Sequence, residues 1–445
     1  MHYDLQMNQG ALDSHNSSRA AMLHLGLLFA LMYFVQGLAE PTEGLIAQPV
    51  RSMLGRWDKS PGEIAHFMAI IAAPWAIKPI YGLIIDFVPL LGSRRRNYLL
   101  LATLATAISL MWLAVAMPRK GATNELLMLL FIPTLAVAFS DVVVDALMVE
   151  KGQPLGMTGR LQSIQWGSMY AATVLAGSLG GWLSENQRQE LGFLICGAGA
   201  VATFFAALFW IRDTPTLSPK TPEILSSSDS AEQPDTPPTG LPDSARSRLG
   251  IMRRTLISRP FLIAAAFLFL WNFNPFCSTV QQHHMTQTLK LSEQEYGHTY
   301  SLFSLGSIGS CLIYGLLCRV IPARWLIHLA IIAGVLATLM YLLATGTRSA
   351  YAVSAIAGVA YMLGSLIQMD VAARMCPPVI AGTMFAMLMS VSNIAIILST
   401  SLGGWLYEII EKQHGSVHAY TVLVWLGSGS TALCWGLLLF KTPKL

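Results

Sequence analysis

Lys78 sits inside PWAIKPIYGLIID, an apolar run in which a bare cation is costly. A charge at the centre of a bilayer costs at least ~3 kcal/mol even on the milder insertion scale, so it faces a partner or a water-filled cavity. Asp141, in SDVVVDALMVE, is a candidate partner. Lys78 precedes Asp86 by roughly 12 Å of helix, and Asp141 precedes Glu150 by roughly 13 Å, at about 1.5 Å per residue. Asp86 and Glu150 close their segments on the same side, so lysine and aspartate reach similar depth. Two readings stay open. One is a fixed Lys78–Asp141 pair joining two helices; the other is a solvated lysine that meets an anionic solute. Both hold if the solute competes for the pair. Pro74 and Pro79 bracket the lysine and each frees a backbone carbonyl one turn earlier, a defect tolerated where the chain lines a cavity.

Further polar side chains fall in helical stripes. Gln36, Glu40 and Glu43 share one face, with Pro41 expected to bend that helix near its end. Gln165, Trp166 and Tyr170 share another, and Asn393 occupies the Tyr170 position in the second half of the chain. Trp271, Asn272 and Asn274 precede Pro275. Away from the segment ends, Glu40, Glu43, Asp141 and Asp370 face only Lys78 and Arg374, and Arg374 can pair with Asp370 four residues before it. At least one carboxylate is short of a partner. Desolvation makes a carboxyl group hold its proton more tightly, so such a group could load and release a proton. Gln36, Glu40, Lys78, Asp141, Gln165, Trp166, Tyr170, Asn272, Asp370 and Asn393 are therefore the candidate substrate- and ion-binding residues. No nucleophile elbow, His–carboxylate cluster or Walker-type loop occurs. Neither catalytic residues, a bound metal nor a cofactor is expected, and His283–His284 alone does not make a metal site.

The elements that position these residues follow from composition. Of 445 residues, 54% are hydrophobic and 12% charged, with a mean hydropathy of +0.53, whereas soluble domains carry about 25% charged residues. Twelve runs approach the roughly 20 residues that a bilayer crossing takes: 21–40, 63–86, 97–117, 125–149, 160–184, 189–211, 259–281, 293–318, 323–345, 349–374, 379–409 and 418–440. With the N-terminus inside, about two thirds of the 28 Lys and Arg fall on the cytoplasmic side, which favours both termini in the cytoplasm; the plasma membrane is the expected location. The polar start lacks the order of a cleaved signal peptide. The net charge of +4 reflects this bias rather than nucleic-acid binding. The six cysteines, in or beside apolar segments without CxxC spacing, read as reduced structural thiols.

The chain divides at a proline-rich polar stretch. The expected units are a tail over 1–20, a six-helix bundle over 21–212, a linker over 213–258, a second bundle over 259–440 and a tail over 441–445. Within the linker, SARSRLGIMRRTLISR reads as a basic amphipathic helix on the membrane surface, or as a solvated loop. The halves repeat each other. YGLIIDFVPLLG (81–92) corresponds to YGLLCRVIPARW (314–325), SDVVVDAL (140–147) to MDVAARMC (369–376), and SLGGWL occurs unchanged at 178–183 and 401–406, followed by Glu185 or Glu408. An all-α membrane fold of 12 transmembrane helices in two pseudo-symmetric six-helix bundles is the architecture of the major facilitator superfamily. Such halves can rock about a central site, exposing it to each side in turn.

YFVQG (33–37), PWAIKP (74–79), D-x-x-P-L-x-G-S-R-R-R-x-Y-L (86–99) and SDVVVDALMVE (140–150) together resemble the folate–biopterin transporter family, a branch of that superfamily. The resemblance covers the first four helices and implies proton-linked uptake of folates and related pterins. Mapped by motif, the family's positions fall on Gln36, Lys78, Pro79, Asp86, Arg94, Arg95, Asp141 and Asp145. Asp86, Arg94, Arg95 and Asp145 are expected to gate the cytoplasmic end. LAEPTEGLIAQP, after YFVQG, departs from the family pattern. The implied activity is proton symport of a folate- or pterin-like organic anion by a monomer in contact with membrane lipid, with no nucleic-acid partner. The alternatives are a permease or exporter for another solute, such as a cell-wall fragment, nucleotide-like compound or drug, and a membrane sensor that transports nothing.

Overall fold

A computed structural model describes residues 23–88, 90–93, 95–152, 158–211, 250, 252–320, 322–374 and 381–438. Among these the chain is helical apart from turns and one isolated bridge between Leu90 and Ser93. In order the helices are α1 (Leu23–Ala39), α2 (Ala47–Arg56), α3 (Pro61–Ala72), α4 (Lys78–Phe87), α5 (Arg96–Val115), α6 (Thr123–Gly152), α7 (Thr158–Glu185) and α8 (Gln189–Trp210). The second half gives α9 (Arg259–Asn272), α10 (Ser278–His283), α11 (Glu293–Val320), α12 (Ala323–Leu339), α13 (Thr347–Arg374), α14 (Ala381–His414) and α15 (Ser416–Leu438). Among the described residues, each apolar run expected from sequence is largely helical, with breaks at 73–77 and 273–277. Eight spans among the described residues are long and apolar enough to cross a membrane, and α1 and α9 are shorter apolar helices. The spans expose large hydrophobic side chains such as Ile108, Trp112 and Leu433, as helices surrounded by lipid do.

Local chemistry sets the boundaries. Ser60 caps α3 through a reciprocal box with Glu63, followed by Pro61, which satisfies donors that a helix start leaves open. Gly415 adopts φ +86° between α14 and α15, a left-handed turn that costs glycine little. Pro41 was expected to bend the first helix; instead α1 ends at Ala39 and the chain turns before α2. Most of the 213–258 linker lies outside the described residues, as do both tails. Its last part is helical over Met252–Leu256, where Met252 and Leu256 pack on the core and Arg253 and Arg254 are exposed. That arrangement fits the amphipathic reading. Cys196, Cys277, Cys311 and Cys434 are free thiols.

Each half has its own apolar core. Val35, Leu45, Leu110 and Phe193 anchor one in the first, and Trp271, Leu326, Ile331 and Cys434 one in the second. The halves meet along two symmetric seams, α7 on α11 and α14 on α3, and the repeated SLGGWL builds both. A Cβ on Gly181 would lie 2.9 Å from the Glu293 carbonyl oxygen and 3.0 Å from Gly297 Cα. One on Gly404 would lie 3.1 Å from the Pro61 carbonyl oxygen and 3.2 Å from Gly62 Cα. Only small residues allow helices this close. The glutamate after each copy reaches into the other half. Glu185 accepts from the Gln294 backbone N–H at 2.9 Å, and Glu408 from the Ser60 hydroxyl at 2.9 Å.

These seams tie together the end of the bundle remote from the chain termini, called the distal end below. The short helix α2, which no expectation included, adds to them. Gln48 Nε2 donates to the Glu293 carbonyl at 2.6 Å, Arg51 Nε to Gln282 Oε1 at 2.7 Å, and Gln282 Nε2 to Ser52 Oγ at 2.9 Å. The distal end is closed.

Candidate functional site

The second membrane crossing is broken where the prolines fall. A 3₁₀ turn spans Ala73–Ile77 and α4 restarts at Lys78. Pro79 has no N–H, so the Trp75 carbonyl four residues earlier loses its helical donor. Asn393, from α14 in the opposite half, supplies that bond through Nδ2 at 2.8 Å, and the Tyr81 hydroxyl donates to the Pro74 carbonyl at 3.0 Å. The break is thus fully bonded, and it fixes the direction of Lys78.

Lys78 Nζ lies 2.6 Å from Asp141 Oδ2, and Gln36 Nε2 donates to Asp141 Oδ1 at 2.7 Å. Both carboxylate oxygens are therefore engaged. The Asp141 side chain is 6% exposed, whereas that of Lys78 keeps 19%. The ammonium also stands 4.4 Å from the centroid of the Trp75 ring, within cation–π range. Of the two readings open at the start, the geometry shows the pair. Trp75 escaped the sequence reading, although it lies three residues before Lys78, at a spacing that shares a helix face.

Trp75 continues the network. Its Nε1 donates to Glu40 Oε1 at 3.2 Å. Glu40 is buried and also receives the Thr42 hydroxyl at 2.6 Å and the backbone N–H groups of Thr42 and Glu43 at 3.0 and 2.6 Å. Its carboxylate holds the turn that follows α1. On the other side of the pair, the buried Tyr33 hydroxyl donates to Asp145, one helical turn past Asp141.

A cavity of about 470 Å³ opens between the halves. Trp166 and Tyr170 of α7 line it with stacked rings at 6.2 Å, and Trp271 and Tyr361 line it from the other half with centroids 5.6 Å apart. Asn272, Asn274 and Glu43 also border it, whereas Lys78 and Asp141 lie outside its lining. Gln165, beside Trp166, is 1% exposed, and its Nε2 meets no partner among the described residues.

The remaining candidates scatter. Asp370 accepts from the Tyr314 hydroxyl at 2.9 Å, and the side chain of Arg374, its expected partner, is outside the described residues. Asn272 Nδ2 donates to the Leu268 carbonyl at 2.8 Å and to Gln368 Oε1 at 3.3 Å. Asn393 donates to the Trp75 carbonyl of the opposite half. Of the expected gating set, Arg95 precedes α5 and Asp145 meets Tyr33. The Asp86 side chain and Arg94 lie outside the described residues. No group of three or more His, Cys, Asp or Glu is placed to hold a metal ion among the described residues.

A model of the BT1 family matches residues 36–443. The folate-biopterin transporter of Synechocystis sp. is 28% identical over 414 residues, covering 90% of this chain and 78% of that protein. "Probable folate-biopterin transporter 4" of Arabidopsis thaliana is 25% identical over 445 residues, covering 87% and 89%. Among solved structures, the nucleoside transporter NupG superposes with a TM-score of 0.67 at 13% identity, over 94% of this chain and 100% of that one. A D-xylose–proton symporter reaches 0.65 at 12% identity, over 93% and 97%. At such identities the structures speak for the fold alone, which is that of the major facilitator superfamily.

Proposed function

The chain belongs to the BT1 family, and from that premise we propose that it moves a folate- or pterin-like organic anion together with protons, by alternating access. The coarser statement needs no proposal: this is a multi-pass membrane transporter of a small-molecule solute, not an enzyme. The finer one rests chiefly on a single observation, the partly accessible Lys78 held at 2.6 Å by a buried aspartate.

The pair supplies a simple coupling. Protonation of Asp141 cancels its charge and releases Lys78 Nζ, which then attracts a carboxylate of the solute. When the proton leaves, Asp141 reclaims the ammonium and the solute loses its counter-ion. Gln36 keeps the carboxyl group in place through both steps, and Trp75 holds the ammonium by its ring face. Because either the solute or Asp141 occupies Lys78, proton and anion binding favour each other. A closed distal end, sealed by glycine seams, is one of the two states such a cycle needs. We place both termini in the cytoplasm on the distribution of basic residues, and take a plasma-membrane monomer by analogy with the superfamily.

Uptake of labelled folate into proteoliposomes tests this reading. An inward proton gradient should raise the initial rate, unlabelled pterins should compete, and Lys78→Ala should abolish uptake. Asp141→Asn should leave residual uptake that no longer responds to the gradient. Indifference to pH in the native protein, or full competition by nucleotides or muropeptides with none by pterins, would overturn it. The second outcome would favour a permease for another solute.

A further inference from the structure

We propose that the aromatic cavity between the halves seats the bicyclic ring of the solute and that Glu43 reads the ring's donor edge; the proposal rests on the folate or pterin reading above. A pterin's 2-amino-4-oxopyrimidine edge carries two neighbouring donors, the N3–H and the exocyclic amino group. A carboxylate offers two acceptors at matching separation, and such charge-assisted pairs are strong and directional. Of the described side chains that line the cavity, Glu43 alone is a carboxylate, and no lysine or arginine joins it.

Its surroundings leave that charge available. Ser278 Oγ donates to Glu43 Oε1 at 3.0 Å, and no donor reaches Oε2 among the described residues. The Tyr300 hydroxyl donates to the Glu43 backbone carbonyl at 2.8 Å, and the Glu43 N–H is tied to Glu40. The backbone is pinned while the carboxylate stays exposed to the cavity. The two asparagines on the lining are less free. Asn274 Nδ2 donates to Thr338 Oγ1 at 3.1 Å and its Oδ1 accepts from the Phe276 N–H at 3.0 Å, while Asn272 is bonded as described.

Aromatic faces on both sides suit a flat ring. The Trp166–Tyr170 stack comes from the first half and Trp271 with Tyr361 from the second, and ring-on-ring contacts of this type favour offset stacking or edge-on approach. The same negative charge repels a carboxylate tail, so the solute enters with its ring, not its tail, towards Glu43. Glu43 belongs to the LAEPTEGLIAQP segment that follows YFVQG.

Pterin and lumazine separate the possibilities. Lumazine keeps the pteridine shape but carries a second carbonyl where pterin has its amino group. Equilibrium binding of each to the purified full-length protein should show a preference for pterin of about tenfold or more, equivalent to about 1.4 kcal/mol. In Glu43→Gln that preference should fall to about threefold or less. Glu43→Asp should retain it with weaker binding of both. Trp166→Ala should weaken both compounds alike, because stacking does not read the edge. An unchanged preference in Glu43→Gln, or none in the native protein, overturns the role of Glu43 even if folate uptake is intact. Failure of the native protein to bind pterin or take up folate removes the transport reading as well.

Discussion

Replacing Lys78 with methionine keeps all but one atom of the side chain's length and deletes its charge. At 2.6 Å from Asp141 the gross attraction is about 6 kcal/mol for an effective dielectric constant of about 20. Desolvation of the two ions takes back much of that. The larger consequence falls on Asp141, which is left as an unpaired carboxylate at 6% exposure. Breaking a buried pair in this way costs about 3–5 kcal/mol. Lys78 keeps some access to water and Gln36 still donates to Oδ1, so the lower end, about 3 kcal/mol, is expected. Lys78→Met combined with Asp141→Asn removes both charges and should return to within about 1 kcal/mol of the native protein. Denaturant titration in mixed micelles, followed by tryptophan fluorescence, measures all three variants, with uptake recorded in parallel. The double variant should be stable yet inactive, because nothing then exchanges the cation between solute and aspartate. A single variant within about 0.5 kcal/mol of native, or a double variant no more stable than the single, refutes the reasoning.

Three further outcomes follow from other parts of the structure. Trp75→Phe keeps a ring beside Lys78 but loses the hydrogen bond to Glu40; it should lower stability by about 1 kcal/mol in the same titration and slow uptake less than Trp75→Leu does. Gly181→Val drives a side chain against Glu293 and Gly297, at an overpacking cost of about 1–3 kcal/mol. A cysteine placed at Ser178 in that seam should then react several-fold faster with a water-soluble maleimide. His284 is buried against the Tyr420 ring, and burial, with His283 nearby, pulls its pKa down to about 4. The unfolded chain titrates near 6.5, so the folded state binds fewer protons between these values. The stability is full above about pH 6.5 and falls by up to about 3 kcal/mol on acidification towards pH 4. His284→Phe should flatten thermal stability across that window.

Depth was legible in the sequence because a helix converts residue number into height. That is why Lys78 and Asp141 can be placed together from sequence, whereas the bond from Gln36 to Asp141 could not be. Direction across the molecule was not. Helical periodicity says which residues share a face, but nothing about which face of α14 meets a broken turn in the other half, so the service of Asn393 to Trp75 was hidden. Glu40 and Glu43 were read on one helical face with Gln36, yet α1 stops at Ala39 and Glu40 binds the turn that follows. Helix α2 was missed because ten residues cannot cross a bilayer, and much of its burial comes from α7 and α8, remote in sequence. SLGGWL revealed a duplication; only packing shows that each copy closes on the opposite bundle.

That closure has a thermodynamic consequence. Among the described residues, no salt bridge crosses the distal seam; it is held by close backbone contacts and hydrogen bonds. Parting it strands no ion pair, and inrushing water can take up each released donor and acceptor. The balance between shut and open forms should therefore barely respond to ionic strength, while one added methyl group tips it. A barrier fastened by close packing and hydrogen bonds rather than by ion pairs leaves the cargo, not the medium, to decide which way the carrier faces.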